Sequence, residues 1–170
     1  MESRPSWNEY FLTIANAVAS RSSCLSNHKG CVIVNDNQII STGYNGPPAK
    51  IEHCRFREDN GAYHARYVSE TCPRYRSGFK SGEGLEMCPA VHAEANAIVL
   101  AASRGLSTKG SVMYCSFNVC PCRDCAKLII NSGIKVVYLN GPPIPYNQPG
   151  LSGAELLNMA GVEILNGKEN

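Results

Sequence analysis

No stretch of the 170-residue chain approaches the roughly 20 consecutive apolar residues that a membrane span needs. The opening MESRPSWNEYF is too polar for a secretory signal, so the expected location is cytoplasmic. A strong charge of either sign is also missing. The formal net charge of +2 does not announce a nucleic-acid binder. The cations between Arg55 and Lys80 are interleaved with Glu52, Glu58, Asp59 and Glu70, a solvated mixed-charge surface from which a few side chains remain available to hold one phosphate. No internal repeat and no shift of composition marks a second domain. An apolar fraction of 44% with 18% charged residues fits one globular domain over residues 1–170.

What is present in excess is cysteine. There are nine, and the odd number without an export signal argues against a disulfide framework, because the cytosol keeps thiols reduced. Cytosolic clusters of Cys with His more often bind metal.

The pattern along the chain predicts a helix over Trp7–Arg21, with Ser6 as N-cap, and then two strands, Cys31–Val34 and Gln38–Thr42, around the turn Asn35-Asp36-Asn37. Periodicity then fails from about 46 to 89, a long insertion of the kind that is functional or held by something. Beyond it the pattern predicts helix Ala93–Arg104, strand Ser111–Phe117, helix Cys122–Ser132, strand Lys135–Leu139, helix Ala154–Met159 and strand Val162–Leu165. A hairpin followed by alternating helices and strands implies an α/β layered domain whose sheet is parallel in one half.

Two segments carry chemistry, His92-Ala93-Glu94 and Pro121-Cys122-Arg123-Asp124-Cys125. Cys122 and Cys125, three apart at a helix start, share a face, and the positive end of the helix favours their thiolates. His92 supplies a third ligand. Three protein ligands leave one tetrahedral position open, the mark of catalytic zinc, where a water becomes acidic enough to act near neutral pH. Glu94 is too close to His92 for a convenient fourth ligand but is suited to carrying protons. The bland alternative is a structural zinc site or a zinc-held binding domain without catalysis. The carboxylate at 94 argues against both, since pure metal binding has no need of it. His-x-Glu joined to Pro-Cys-x-x-Cys is the signature of zinc nucleobase deaminases.

Over most of its length the sequence resembles the deoxycytidylate deaminases of phages and bacteria. The resemblance runs through Trp7–Phe11, Ile40–Gly46, His92–Ile98, Cys125–Ile130 and Ala160–Val162. It implies a three-layer α/β/α sandwich around a five-stranded mixed sheet. It implies conversion of dCMP to dUMP for thymidylate synthesis, and a cytoplasmic homo-oligomer, commonly a hexamer, activated by dCTP and inhibited by dTTP. For a phage-encoded chain the compartment is the host cytoplasm. Gly43, Tyr44 and Gly46 match the stretch associated with effector binding. Asn45 matches an Asn that touches the substrate sugar in the wider superfamily, although an Asn-Gly turn is the plain alternative. A deaminase of another cytosine nucleoside or nucleotide, or of tRNA adenosine, shares the zinc chemistry but usually lacks so long an insertion. The spacer Ser116–Cys120 is longer than usual and makes Cys120 a rival ligand, but Cys122 is kept, because Cys120 would break the Pro-Cys-x-x-Cys spacing onto the helix.

Seven cysteines remain after Cys122 and Cys125. Cys31 and Cys115 fall in apolar strands and read as core. Cys24, Cys54, Cys72 and Cys88 mark the end of the first helix and the insertion. Some phage relatives carry a second zinc, and Cys24 and Cys54 match positions that bind it. Four thiolates make a closed structural site able to hold a loop poor in apolar residues, with His28, His53 or His64 as substitutes for one of them. Free buried thiols are the alternative. For a substrate phosphate the candidates are Arg55, Arg57, Arg74, Arg76 and Lys80.

Overall fold

A computed structural model describes residues 4–51, 53–54, 72–80, 83–147 and 149–168. Helix α1 spans Trp7–Ala19, β1 Gly30–Asn35 and β2 Gln38–Tyr44, followed by a single helical turn, α2, at Pro73–Arg76. Then come α3 (Ala93–Ser103), β3 (Val112–Cys115), α4 (Arg123–Asn131), β4 (Val136–Leu139), α5 (Gly153–Met159) and β5 (Glu163–Asn166). The sheet has five strands in the order β2-β1-β3-β4-β5. β1 is antiparallel to both β2 and β3, whereas β3, β4 and β5 run parallel.

Strand alternation assigns the layers. Cys31, Ile33, Met113, Cys115, Val137 and Leu139 pack with Ala93, Ala97, Ala126, Ile129 and Leu157, which belong to α3, α4 and α5. The intervening Val32, Val34 and Tyr114 face Phe11, Leu12 and Ala15 of α1 on the other side. The result is the α/β/α sandwich. Both parallel crossovers advance in one direction along the sheet, so their shared right-handedness puts α4 and α5 on one face. Asp36 and Asn37 both have positive φ, 47° and 58°, as a two-residue hairpin turn matched to strand twist requires. Helix α1 ends at Ala19, two residues before Arg21, and β3 is shorter than the expected Ser111–Phe117. Such ends fray because their outermost backbone groups lack regular partners.

Two features place the site. The segment leaving β2 and the one entering α3 pair at Gly46 and Val91, with N–H···O distances of 3.1 and 2.8 Å, so the insertion between them is cinched at its base directly before His92. Helix α3 lies tight against β2 because its facing residues are Ala93 and Ala97 and the strand offers Gly43. Ser41 Oγ donates to Ala97 O at 2.7 Å and Asn96 Nδ2 to Tyr44 O at 2.8 Å, which fixes the helix axially. Among the described residues no helix is long and apolar enough to cross a membrane. Residues 55–71, with Arg55, Arg57 and His64, lie outside the described residues.

Candidate active site

The N-cap positions of α3 and α4 are occupied by His92 and Cys122, and neither side chain makes a capping hydrogen bond. Residues that usually cap do so through a side-chain oxygen. Here both side chains point to a common centre instead. His92 Nδ1 is 3.4 Å from Cys122 Sγ and 3.5 Å from Cys125 Sγ. Tetrahedral zinc with ordinary Zn–S and Zn–N bonds separates such ligand atoms by about 3.6 Å. The three side chains therefore fit zinc with little movement, and they form the only such cluster among the described residues. Without metal, Cys125 donates to Cys122 and His92 adds a second bond, which draws the Cys122 thiol down to about 4. Sharing that proton pushes Cys125 up, and the bond to Cys122 raises His92.

Glu94, in the first turn of α3, is only 4% exposed. Burial raises its carboxyl, so it holds a proton more readily than a surface glutamate. It lines, with the trio's His92 and Cys122, a cavity of about 450 Å³ whose other walls include Lys29, Phe117, Cys120 and Tyr146. That volume lies in the usual range for a small-molecule site. Cys120 is part of the wall and stands apart from the ligand trio, its backbone N–H tied to Ile144 O at 2.7 Å.

The other candidates divide. Asn45 lines the cavity but is buried, and its side chain is engaged. Its Oδ1 accepts from Ser22 Oγ (2.7 Å) and Lys29 N (2.9 Å), and its Nδ2 donates to Asn27 O (2.8 Å). Gly43 is covered by α3, Gly46 sits in the bridge to Val91, and Tyr44 is half-buried. Of the described phosphate candidates, Arg74 is buried in the cavity wall and donates to Glu83 O at 2.7 Å, whereas Arg76 and Lys80 are exposed away from it. Cys24, Cys54, Cys72 and Cys88 line one second, small cavity of about 20 Å³. Their sulfurs are not gathered as tightly as the trio's. Cys24 Sγ accepts the N–H groups of Ser26 and Asn27 at 3.4 and 3.5 Å, while His53 is bonded to Ser23 Oγ at 2.6 Å. Cys31 and Cys115 are wholly buried in the core.

Lys29, Phe117 and Tyr146 were not among the residues singled out from sequence. Lys29 immediately precedes β1 and Tyr146 lies in a Pro-rich loop, and no spacing or motif marks either.

Residues 5–140 match the family profile described as the cytidine and deoxycytidylate deaminase zinc-binding region. A deoxycytidylate deaminase of Schizosaccharomyces pombe is 38% identical over 162 residues, covering 95% of this chain and 44% of that protein. One from a Mycobacterium phage is 41% identical over 142 residues, covering 80% and 96%. The chain therefore spans less than half of the yeast relative but nearly all of the phage one. Among solved structures, dCMP deaminase from the cyanophage S-TIM5 in complex with dCMP and dUMP superposes with a TM-score of 0.68 at 25% identity, covering 97% of this chain and 99% of that one.

Proposed function

The chain belongs to the zinc-dependent cytidine and deoxycytidylate deaminase family, and on that premise we propose that it hydrolyses dCMP to dUMP and ammonia. The observation that carries this reading is the His92–Cys122–Cys125 set at zinc spacing, with the buried Glu94 beside it on a cavity of nucleotide size. Zinc held there supplies Lewis acidity, which makes a water nucleophilic near neutral pH. The chain's own residues do the rest. Glu94 takes a proton from the attacking water, gives it to the ring nitrogen next to the reacting carbon, and assists departure of the amino group as ammonia. Its raised affinity for a proton suits both directions of transfer. Burial excludes bulk water from the carboxylate and keeps its hydrogen bonds strong.

Ammonia release from dCMP, CMP, deoxycytidine, cytidine and adenosine, measured on zinc-loaded protein, tests the reading. dCMP is expected to be preferred. Turnover of adenosine alone, or of none of these, would defeat it.

The finer expectations belong to the same proposal. The enzyme assembles as a homo-oligomer, as a hexamer in the simplest case, in the cytoplasm. It is activated by dCTP and inhibited by dTTP, which sigmoidal dCMP kinetics relieved by dCTP would support. Hyperbolic kinetics indifferent to both nucleotides would remove the regulation. A second, structural zinc at Cys24, Cys54, Cys72 and Cys88 is supported by their common cavity and by the two backbone N–H groups aimed at Cys24 Sγ. Metal analysis should then find two zinc ions per chain and one in Cys54→Ser.

A further inference from the structure

We propose that Lys29 is the residue that reads the 5′-phosphate of the substrate. This rests on the reading of the cavity as a nucleotide site and names the group that sets its preference for nucleotide over nucleoside.

The Lys29 ammonium stands over the Phe117 ring, 4.6 Å from its centroid, on the wall of the cavity that also holds His92 and Glu94. It bonds to neither. The one salt bridge among the described residues is the surface pair Lys127–Asp124, so Lys29 has no carboxylate partner there. A half-buried ammonium with an aromatic face and, among the described residues, no carboxylate beside it is incompletely compensated, because a cation–π contact replaces only part of the lost hydration.

The other full cation on the wall is Arg74, and its guanidinium is engaged by the Glu83 carbonyl. It also borders the small cavity of the four cysteines, a position that suits holding the insertion rather than meeting a ligand.

Lys29 is held in place from its backbone. Its N–H donates to Asn45 Oδ1 at 2.9 Å and its carbonyl accepts Asn45 N–H at 3.1 Å. Asn45 is fixed in turn by Ser22 Oγ and Asn27 O. The next residue, Gly30, lies directly against the backbone of Ala15 and Ala19 in α1. A cation anchored this way meets an anion without reorganising the chain. In a pyrimidine nucleotide with its ring at the zinc trio, the phosphate is the anion at the far end of the molecule. Asn45 is thereby a positioning residue for Lys29.

The experiment compares kcat/KM for dCMP and for deoxycytidine in wild type, Lys29→Gln and Lys29→Arg, with equilibrium binding of dUMP and deoxyuridine as a second readout. A charged hydrogen bond to phosphate corresponds to about 10- to 150-fold in binding. Lys29→Gln should lose that factor on dCMP and on dUMP affinity, while the deoxycytidine and deoxyuridine values move less than threefold. Lys29→Arg keeps the charge and should retain much of the preference. Equal losses on nucleoside and nucleotide would mean that Lys29 acts through Glu94 or the fold, and would overturn the assignment. So would a dCMP preference that survives Lys29→Gln, or a Lys29→Arg protein as unselective as Lys29→Gln. Wild-type protein that turns over neither compound would instead refute the underlying deaminase reading.

Discussion

Gly43→Ala tests how the fold aims the helix that carries His92 and Glu94. A Cβ built at Gly43 meets Ala97 N at 2.2 Å, Ala93 O at 2.4 Å and Ala97 Cα at 2.8 Å, where ordinary contact begins near 3.4 Å. All three atoms are backbone of α3, so no side-chain rotation relieves the clash. The helix must retreat from β2 by about 1 Å, stretching the Ser41–Ala97 and Asn96–Tyr44 bonds that fix it. Overpacking of this kind costs about 1–3 kcal/mol, and the rigid neighbours put this site at the upper end. Because His92 occupies the N-cap position of α3 and Glu94 lies in its first turn, a shift of that size should also lower kcat/KM about 10²-fold. Gly105→Ala is the matched control. Gly105 has φ +68° with nothing within 4 Å of its added Cβ, so the substitution costs about 1–2 kcal/mol of left-handed backbone strain and leaves the site alone. Urea unfolding and dCMP turnover of both variants decide the matter. If Gly43→Ala is destabilised but keeps kcat/KM within threefold of wild type, or is as stable as wild type, the proposed coupling of strand to site is refuted.

Glu94→Gln should retain zinc and fold while kcat drops by at least about 10²–10⁴, as loss of a positioned proton carrier predicts; near-normal kcat with full zinc would be the wrong outcome for this role. Cys125→Ser and His92→Ala should lose the zinc of the trio, read by metal analysis after dialysis, and wild-type zinc content in either would contradict the ligand set. Ser152 forms a reciprocal capping box with Glu155, so Ser152→Ala should lower stability by about 1 kcal/mol without changing turnover, as checked by urea midpoint and kcat. Burial, aided by Tyr138, pushes the Tyr114 phenol up to about 12. The unfolded phenol ionises near pH 10, so the folded state binds the proton more tightly, and stability is intact below about pH 10 and declines toward pH 12. Urea midpoints of Tyr114→Phe and wild type should diverge from a constant offset over that window, and parallel curves would exclude the effect.

Much of the site was legible because its chemistry is local. His92 and Glu94 lie two residues apart on one helix start, Cys122 and Cys125 three apart on another, and the type and spacing alone imply an open metal site with a proton carrier. The order of a hairpin followed by alternating helices and strands similarly announced an α/β layered domain with a sheet parallel in one half, and the family resemblance implied the third layer. The Pro-Cys-x-x-Cys spacing already favoured Cys122 over Cys120, and the structure puts Cys122 at the N-cap of α4, grouped with His92 and Cys125, and leaves Cys120 in the cavity wall.

Other roles depend on residues remote in sequence. Gly43 and Asn45 drew attention as members of one short segment, yet one is a contact surface for α3 and the other a clamp on Lys29. Lys29 gains its place only when β1 pairs with β3 and brings Phe117 beneath the ammonium. The four outlying cysteines share a wall only after the insertion is closed at Gly46 and Val91. A sequence by itself determines what each side chain is able to do and which near neighbours share a helix face or strand side, because those follow from fixed backbone periods. Which distant side chains meet is decided by sheet order, close helix approach and buried hydrogen bonds, since these set distances that no local spacing encodes.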